Sequence, residues 1–563
     1  MSSPKILNTR ISLPELCFEL SSNLAISPVI AQLLVNRGIR SLAEARDFLA
    51  PGAGAFHDPF SFTEMPLALN LIRTAGREKQ NVLLYGDYDV DGVTSLAVLT
   101  RSLSRYGITA AHYIPHRVKE GYGLNAGIIA LAKEKKIGLL ITADCGTNSG
   151  EIITALRAGG VEVIVTDHHE PSFSGDHPAS ALINPKVAGS GYPYRDLAGV
   201  GVAFKLCQAL TGEALEDELD IVALGTVADS VPLTGENRTI AAAGLRRIAS
   251  TVRPGLRVLM ESGGIDGREI NGEHVGFILA PRLNASGRMD TAEKAFELLM
   301  CADREQAAAL AKDLEGYNRL RQKTEARILE EAQALIDQEV NFKDHKVIVV
   351  AKEGWHTGCL GIVASKIAGK FYRPAILISL DGEGRCRGSG RSIKNFHLFN
   401  GLHHCGSLLE GYGGHEHAIG MSILPENIRE FRDRLNAFAA DRLRIEDLIP
   451  CVEIDMDLGL GEITRELIGQ IERLEPFGEG NPEPVFHTPG LRVKGQSRVM
   501  GRQTLKFWVT DGSATLPAIG FGMAAMQESV HASNGIDLVY RPKIDSWQGM
   551  DSLILEAKEI ILK

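Results

Sequence analysis

Six aspartates and two histidines stand where apolar runs stop. "NVLLYGDYDVDGVTS" (81–95) sets Asp87, Asp89 and Asp91 at alternate positions, and "ITADCGTNS" (141–149) carries Asp144. "VIVTDHHEP" (163–171) ends in Asp167, His168 and His169, and "LGTVADSVPL" (224–233) brings in Asp229 after a hydrophobic approach. A single D-x-D is usually a solvated turn or a helix cap, and a His-His pair alone is more often surface or core than ligand. Four such clusters at the ends of strand-like runs are a different matter, because ligands of open α/β sheets sit outside the carboxyl ends of the strands. Unpaired carboxylates brought together raise one another's pKa and resist ionising, a cost that bound cations remove. Oxygen ligands with imidazole among them suit Mn²⁺ better than Mg²⁺. Ligands from several strands could hold two ions roughly 3.5–4 Å apart, the arrangement that activates water and stabilises both oxygens of a phosphoryl displacement.

The elements that must position these residues follow from periodicity. Buried strands are expected at "NVLLYGD" (81–87), "AAHYIP" (110–115), "IGLLITAD" (137–144) and "VEVIVTD" (161–167), with helical stretches such as "TSLAVLTRSLSRYG" and "NAGIIALAKEKK" between them. That alternation predicts a parallel α/β sheet over 76–290, preceded by a partly helical lead-in (1–75) with a turn-rich break at "PGAGAFHDPF". Residues 291–338 hold one Gly and no Pro and carry strong helix formers, which predicts one or more long helices bridging two domains. A second α/β unit follows over 339–445, with strands near "HKVIVVA" and "PAILISL". Beyond the Pro/Gly-rich "PFGEGNPEPVF", short strands at "TLKFWVT", "TLPAIGFG", "IDLVYRP" and "DSLILEA" predict a small β domain over 446–563, an OB-type barrel or another small β fold.

Composition limits the function classes. A chain of 563 residues exceeds one ordinary core, so two to four domains are expected, and 44% hydrophobic with 23% charged residues reads as a folded protein. No apolar run reaches the roughly 18 residues of a membrane span, and the charged N-terminal stretch "MSSPKILNTRISLPELCFEL" lacks a signal core, so a cytoplasmic protein without a membrane partner is expected. The eight cysteines are scattered without C-x-x-C spacing, which favours reduced thiols over a zinc site or disulfide framework. A net charge of −10 means that any nucleic-acid track must be local. One such track is "RCRGSGRSIK" (385–394), where Arg385, Arg387, Arg391 and Lys394 have no acid among them in what reads as a small-residue loop.

Taken with "PHRVKEGYGLN", "ALINPK", "APRLNASGRM", "GWHTGCLGIVASKI", "RGSGRS", "GGHEHAIGM" and "PFGEGNPEPVF", the acidic motifs make the sequence resemble the DHH phosphoesterase family, and within it the exonucleases specific for single-stranded DNA. The matching stretches run in family order from about residue 81 to 486. The resemblance implies a DHH-type parallel-sheet domain, a helical linker, a DHH-associated α/β domain and a C-terminal OB-fold. It implies that Asp89, Asp91, Asp144, His168 and Asp229 are metal ligands, with Asp87 and His169 in the same shell as ligands or as groups facing phosphate and water. Asp87, Asp144, His168 and His169 would do the catalytic work, and either histidine could protonate or orient the leaving group. Ser389 and Arg391, helped by Arg117, would bind a DNA 5′ phosphate, Arg288 a phosphate near the scissile bond, and His415 would face the cleft.

The activity implied is 5′ to 3′ degradation of single-stranded DNA to nucleoside 5′-monophosphates, with two Mn²⁺ or Mg²⁺ ions, in DNA repair and recombination. A monomer working with single-strand-binding protein and a RecQ-type helicase is implied as well. Aromatic residues such as Phe507 or Trp508 would stack bases on the barrel, whereas Trp355 reads as core and His417 as structural. Two rival readings stand beside this one. The first is an enzyme for short oligonucleotides, cyclic dinucleotides or pyrophosphate, which would not need the C-terminal β domain. The second is an inactive DNA-binding scaffold of the Cdc45 kind, which would have lost acidic residues that are all present here.

Overall fold

The computed structural model describes residues 5–50, 56–380, 384, 386–547 and 550–563. Arg385, one of the basic residues singled out above, lies outside them, as does part of the "PGAGAFHDPF" break.

The first α/β domain is built on five parallel strands in the order Ala110–Tyr113, Asn81–Gly86, Ile137–Ala143, Glu162–Thr166, Ala181–Ile183. The second strand in sequence therefore lies on the opposite side of the first from all the others, and the switch point falls between Asn81–Gly86 and Ile137–Ala143. An open sheet of this kind binds its ligand at that crevice, and Asp87 and Asp144 are the residues that follow those two strands.

Asp229 departs from the expected pattern. The apolar run before it is a helix, Leu219–Ala228, buried along nearly its whole length, and Asp229 follows its last turn. A short run that is apolar all round fits a buried helix as well as a buried strand, so periodicity could not separate them.

The linker is two helices, Glu293–Met300 and the 36-residue Arg304–Glu339. Asp303 caps the longer one by accepting from Gln306 N at 2.8 Å. Its first half packs Ala307, Ala311 and Leu314 into the core of the first domain, and its second half packs Ile328, Ala332 and Ile336 against the second, so one rigid rod carries both.

The second domain has a mixed five-stranded sheet in the order Leu409–Gly414, Ala418–Ile423, Cys386–Arg391, Ala375–Leu380, Ile348–Glu353. The "RGSGR" stretch, expected as a loop, is the central strand of that sheet, hydrogen-bonded on both sides. Its glycines mislead a compositional reading. They are there because a Cβ on Gly388 would lie 2.9 Å from Met421 Cγ, and one on Gly390 2.8 Å from Ile419 Cδ1.

The C-terminal β domain is a closed barrel. Phe486–Met500 pairs with both Thr504–Thr510 and Ile536–Trp547, and Thr515–Phe521 and Met550–Leu562 complete the ring. Alternation along "TLKFWVT" turns Leu505, Phe507 and Val509 into the barrel core and leaves Trp508 44% exposed. Phe507 therefore cannot stack a base, whereas Trp508 can. The lead-in helices Pro14–Leu24 and Pro28–Asn36 share this core through Leu20, Ile30, Leu33 and Leu34, and Ile6–Thr9 pairs in parallel with Cys451–Ile454. Residues 6–36 thus pack against the C-terminal unit. Among the described residues no helix is long and apolar enough to cross a membrane.

Candidate metal and phosphate site

The strand ends and the Asp229 turn meet at one place. Three groups of ligand atoms lie within 4.8 Å of one another: Asp87, Asp89 and Asp144; Asp144, His168 and His169; and Asp91, His168 and Asp229. Asp144 and His168 each belong to two of them. His168 Nε2 stands 3.2 Å from Asp144 Oδ1, 3.6 Å from Asp229 Oδ2 and 3.8 Å from Asp91 Oδ2.

Local structure explains how each acid gets there. Asp89 caps the helix Val90–Arg105, accepting from Gly92 N at 3.1 Å, which places Asp91 in the first turn. Asp91 is then fixed by the start of another helix, accepting from Gly199 N (2.8 Å) and Val200 N (2.7 Å). Asp144 has a φ of 62°, left-handed backbone that few residues other than Gly, Asn and Asp enter and that gathers at functional sites. A Cβ on Gly199 would fall 2.5 Å from Asp144 Oδ1, so the bare glycine is what admits that carboxylate.

The electrostatics are unbalanced in a telling way. Burial, and after it the neighbouring carboxylates, holds Asp87, Asp91 and Asp144 well above the usual carboxylate range. Asp87 Oδ1, Asp144 Oδ1, Asp229 Oδ2 and His168 Nδ1 are buried with no hydrogen-bond partner in the structure. Orphaned buried acceptors are rare in folded proteins and call for a missing partner. Oxygen acceptors with an imidazole nitrogen among them are the donor set of a hard or borderline divalent cation, so these residues fit one.

The two histidines differ. Burial lowers the pKa of His168, in the direction of the neutral form that a metal ligand needs, and its Nε2 is turned to three carboxylates. Burial opposes charge on His169 too, but the Asp167 carboxylate outweighs it and lifts His169 to about 9. Asp167 Oδ1 accepts from His169 Nδ1 at 2.7 Å and from the backbone N–H groups of His168 and His169, and Asp167 Oδ2 accepts from Thr147 N. Tyr122 OH lies 2.9 Å from the same Nδ1. Asp167 and Tyr122 are the residues the sequence reading passed over as orienting groups. Their signal was the Asp-x-His spacing at 167–169 and a tyrosine inside the quoted "PHRVKEGYGLN".

Positive charge gathers beside the shelf from both domains. Arg117 lies over the Tyr88 ring at 4.6 Å, and Arg288 donates to Gly358 O at 3.2 Å. Arg391 ends the central strand of the second domain. Burial, then the charge of Arg117, lowers the pKa of both Arg288 and Arg391, although a guanidinium stays protonated at neutral pH. None of these three forms an ion pair with a carboxylate among the described residues. Ser389 sits on the same strand, its Oγ donating to Ile419 O. His415 lies at the exposed tip of the hairpin between Leu409–Gly414 and Ala418–Ile423. Trp355 is core, its indole N–H donating to Glu331 at 2.8 Å.

Three family models match the chain: the DHH family, N-terminal domain, over residues 81–226; the DHHA1 domain over 344–441; and the RecJ OB domain over 454–559. The single-stranded-DNA-specific exonuclease RecJ of Bacillus subtilis is 40% identical over 530 residues, 94% of this chain and 67% of that protein. The chain belongs to the RecJ family. Two crystal structures of RecJ from Thermus thermophilus, in complex with Mn²⁺ and with Mg²⁺, match it with TM-scores of 0.85 and 0.79 at 28% and 27% identity. They cover 98% and 99% of this chain, which spans 79% and 78% of theirs. The fold is therefore that of the RecJ family, a parallel-sheet DHH domain and a DHHA1 domain carried on a helical rod, with an OB barrel at the C-terminal end.

Proposed function

We propose that this chain is a metal-dependent exonuclease that degrades single-stranded DNA from its 5′ end, releasing nucleoside 5′-monophosphates. One observation carries the reading: buried carboxylates with orphaned oxygens lie close to Arg117 and Arg288 of their own domain and Arg391 of the second, three arginines that form no ion pair among the described residues. A negative shelf opposite positive charge fits a phosphodiester with cations beneath it and guanidiniums above.

Asp87, Asp89, Asp91, Asp144, His168 and Asp229 would hold Mn²⁺ or Mg²⁺, two ions in this reading, and Asp144 and His168 each lie in more than one ligand group. Bound cations supply neutralisation of the phosphate oxygens and a more acidic attacking water. The chain's own residues do the rest. Ser389 and Arg391, with Arg117, would receive the terminal 5′ phosphate, and Arg288 the phosphate beside the scissile bond, with bidentate geometry available to each guanidinium. His415 would border that pocket. Water attacks the phosphorus between the first two nucleotides, and the P–O3′ bond breaks. The first nucleotide leaves with its 5′ phosphate, and the shortened strand keeps a new one. The proton required by the departing 3′ oxygen can come from His169 Nε2, because Asp167 keeps that ring protonated through Nδ1.

The incoming strand would follow the outer face of the barrel, where Lys494 stands opposite Trp508 and Arg498 opposite Lys506, a basic track beside an aromatic platform. Action in DNA repair and recombination, with single-strand-binding protein and a RecQ-type helicase as partners, belongs to the same reading and rests on the family resemblance; a cytoplasmic address rests on the sequence, and a monomer on a cleft that threads DNA without a second copy.

The test is a 5′-phosphorylated single strand labelled at its 3′ end, incubated with Mn²⁺ beside the same strand in duplex and beside an Asp144→Ala variant. Progressive shortening of the single strand alone, absent in the variant, supports the reading. Intact DNA together with hydrolysis of dinucleotides or pyrophosphate would keep the metal shelf and sink the DNA assignment.

A further inference from the structure

The stretch "PFGEGNPEPVF" (476–486) takes no part in the chemistry above, yet its loop is pressed against the segment that carries Asp229. Asp229 opens the connection between the helices Leu219–Ala228 and Gly235–Ala249. Its Oδ2 is buried without a hydrogen-bond partner, and the polar groups beside it, the His168 imidazole and the Asp91 carboxylate, make no hydrogen bond to it. The direction of this carboxylate is therefore set by the backbone of residues 229–234.

That backbone is gripped from two sides. Its own domain holds it through Tyr194 OH, which donates to Thr234 O at 2.9 Å, and Asn237 Nδ2, which donates to Pro232 O at 3.1 Å. The C-terminal loop holds the other side, with Leu233 N donating to Glu479 O at 2.7 Å. A Cβ on Gly478 would lie 2.6 Å from Leu233 Cδ1, so this approach depends on the missing side chain.

The loop is stiff enough to act as an anvil. Asn481, fully buried, donates to Leu474 O (2.8 Å) and Pro476 O (2.9 Å) and accepts from Arg37 Nε (2.6 Å). Arg238, on the helix after the Asp229 connection, donates to Leu474 O at 2.9 Å while its guanidinium lies 3.8 Å from the centre of the Phe48 ring. Lead-in, catalytic domain and C-terminal unit are thus tied together behind one acidic residue of the shelf.

We infer that the 476–482 loop is a positioning element of the metal site, with Gly478 and Asn481 as positioning residues that fix where Asp229 presents its oxygens. The inference rests on the reading of Asp229 as a metal ligand. Ligand groups must be held within about 0.5 Å of their working positions, and supports of this kind change metal affinity by about 10–100-fold. The domain proposed to carry DNA would then also set how tightly the catalytic domain holds its cation.

The experiment uses the full chain as wild type, Gly478→Val, Asp229→Asn and Gly469→Ala. The last is a control in the same C-terminal region, where an added Cβ meets open space. Mn²⁺ binding is read from the electron paramagnetic resonance of free Mn²⁺, folding from thermal melting, and kcat and KM from single-strand degradation across Mn²⁺ concentrations. Gly478→Val should remain folded and bind Mn²⁺ about 10-fold more weakly, with kcat restored by added Mn²⁺ and KM for the strand unchanged, while Gly469→Ala matches wild type. If Gly478→Val does not fold, Leu233→Ala, which removes the contact without adding bulk, should show the same Mn²⁺ shift. Wild-type Mn²⁺ binding in a folded Gly478→Val or Leu233→Ala protein, with binding weakened in Asp229→Asn, overturns the positioning role alone. Wild-type binding in Asp229→Asn removes the metal reading of that residue and the inference with it.

Discussion

Two groups of buried acids in the catalytic domain are treated in opposite ways. Glu218, with no exposed surface, is held by Arg101 Nε at 3.0 and 3.1 Å, by Arg105 Nη2 at 2.8 Å and by Arg253 Nη2 at 2.8 Å. Arg253 Nε also bridges both oxygens of Asp220 at 2.9 Å, and Thr251 Oγ1 donates to Asp220 at 2.7 Å. Every carboxylate there has its charge and its lone pairs answered. The shelf formed by Asp87, Asp91, Asp144 and the partly exposed Asp229 is largely enclosed too, yet three of its oxygens have no donor, and among the described residues no arginine forms an ion pair with it. Burying a charge is costly unless it is paired, so the fold answers its acids in the Glu218 cluster and leaves them open in the cluster proposed to hold a cation. Acidity and burial are common to both clusters; what separates them is whether a partner is built in.

The contrast can be broken from either side, and the largest effect is expected at the shelf. Asp144→Asn keeps the shape and tolerates the left-handed backbone. It should cut single-strand degradation by roughly a thousandfold or more, while the melting temperature in chelator rises because one repelling charge is gone. Activity near wild type would mean that the shelf is not the catalytic centre.

At the paired cluster, Arg253→Ala should do the reverse. Removing one partner leaves buried charge uncompensated, and a loss of about 3–5 kcal/mol in urea unfolding is expected, with turnover per folded molecule at low temperature unchanged.

Cation removal sharpens the comparison further. Mn²⁺ at about a hundred times its dissociation constant should stabilise the wild type by about 2.7 kcal/mol for each ion bound, relative to chelator-treated protein. That gain should vanish in Asp144→Asn and persist in Arg253→Ala, as differential scanning calorimetry would show.

The smallest effect concerns a third acid. Burial, then Glu472, Glu269, Glu483 and Glu273, raises Glu475 to about 7. A raised folded pKa means that the folded chain holds this proton more tightly than the unfolded one, so the contribution to stability is full below the ordinary Glu range. It is lost as pH climbs from there through about 7. Glu475→Gln should therefore match wild type near pH 4 and exceed it at pH 8, by about 1–2 kcal/mol once partial exposure is allowed for. Equal urea midpoints at both pH values would contradict this.

Much of the architecture is legible in the sequence, for reasons that particular segments make plain. "NVLLYG", "IGLLITA" and "TLKFWVT" read as strands because local hydrophobic pattern and β-propensity agree in them. Reading fails where local pattern is silent. "RGSGR" looks like a loop because its glycines answer to Met421 and Ile419 on the neighbouring strand, far along the chain. The run before Asp229 hides a helix because it is buried on every side. Phe507 faces the barrel core because strand register, not residue type, chooses which aromatic of a pair is turned out.

The sequence by itself determined which chemical groups are present, their order along the chain, and the strand ends that bring most of the acids to one crevice. Tertiary structure alone decided which acids are paired and which are orphaned. It also decided that burial lowers the pKa of His168 while Asp167 raises that of His169, and that a loop of the C-terminal unit stands behind Asp229. The physical reason is that a charge's partner, its proton and its burial depend on distance through space. Arg253 lies 33 residues from Asp220, and Glu479 lies 246 residues from Leu233, yet each meets its partner within 3 Å.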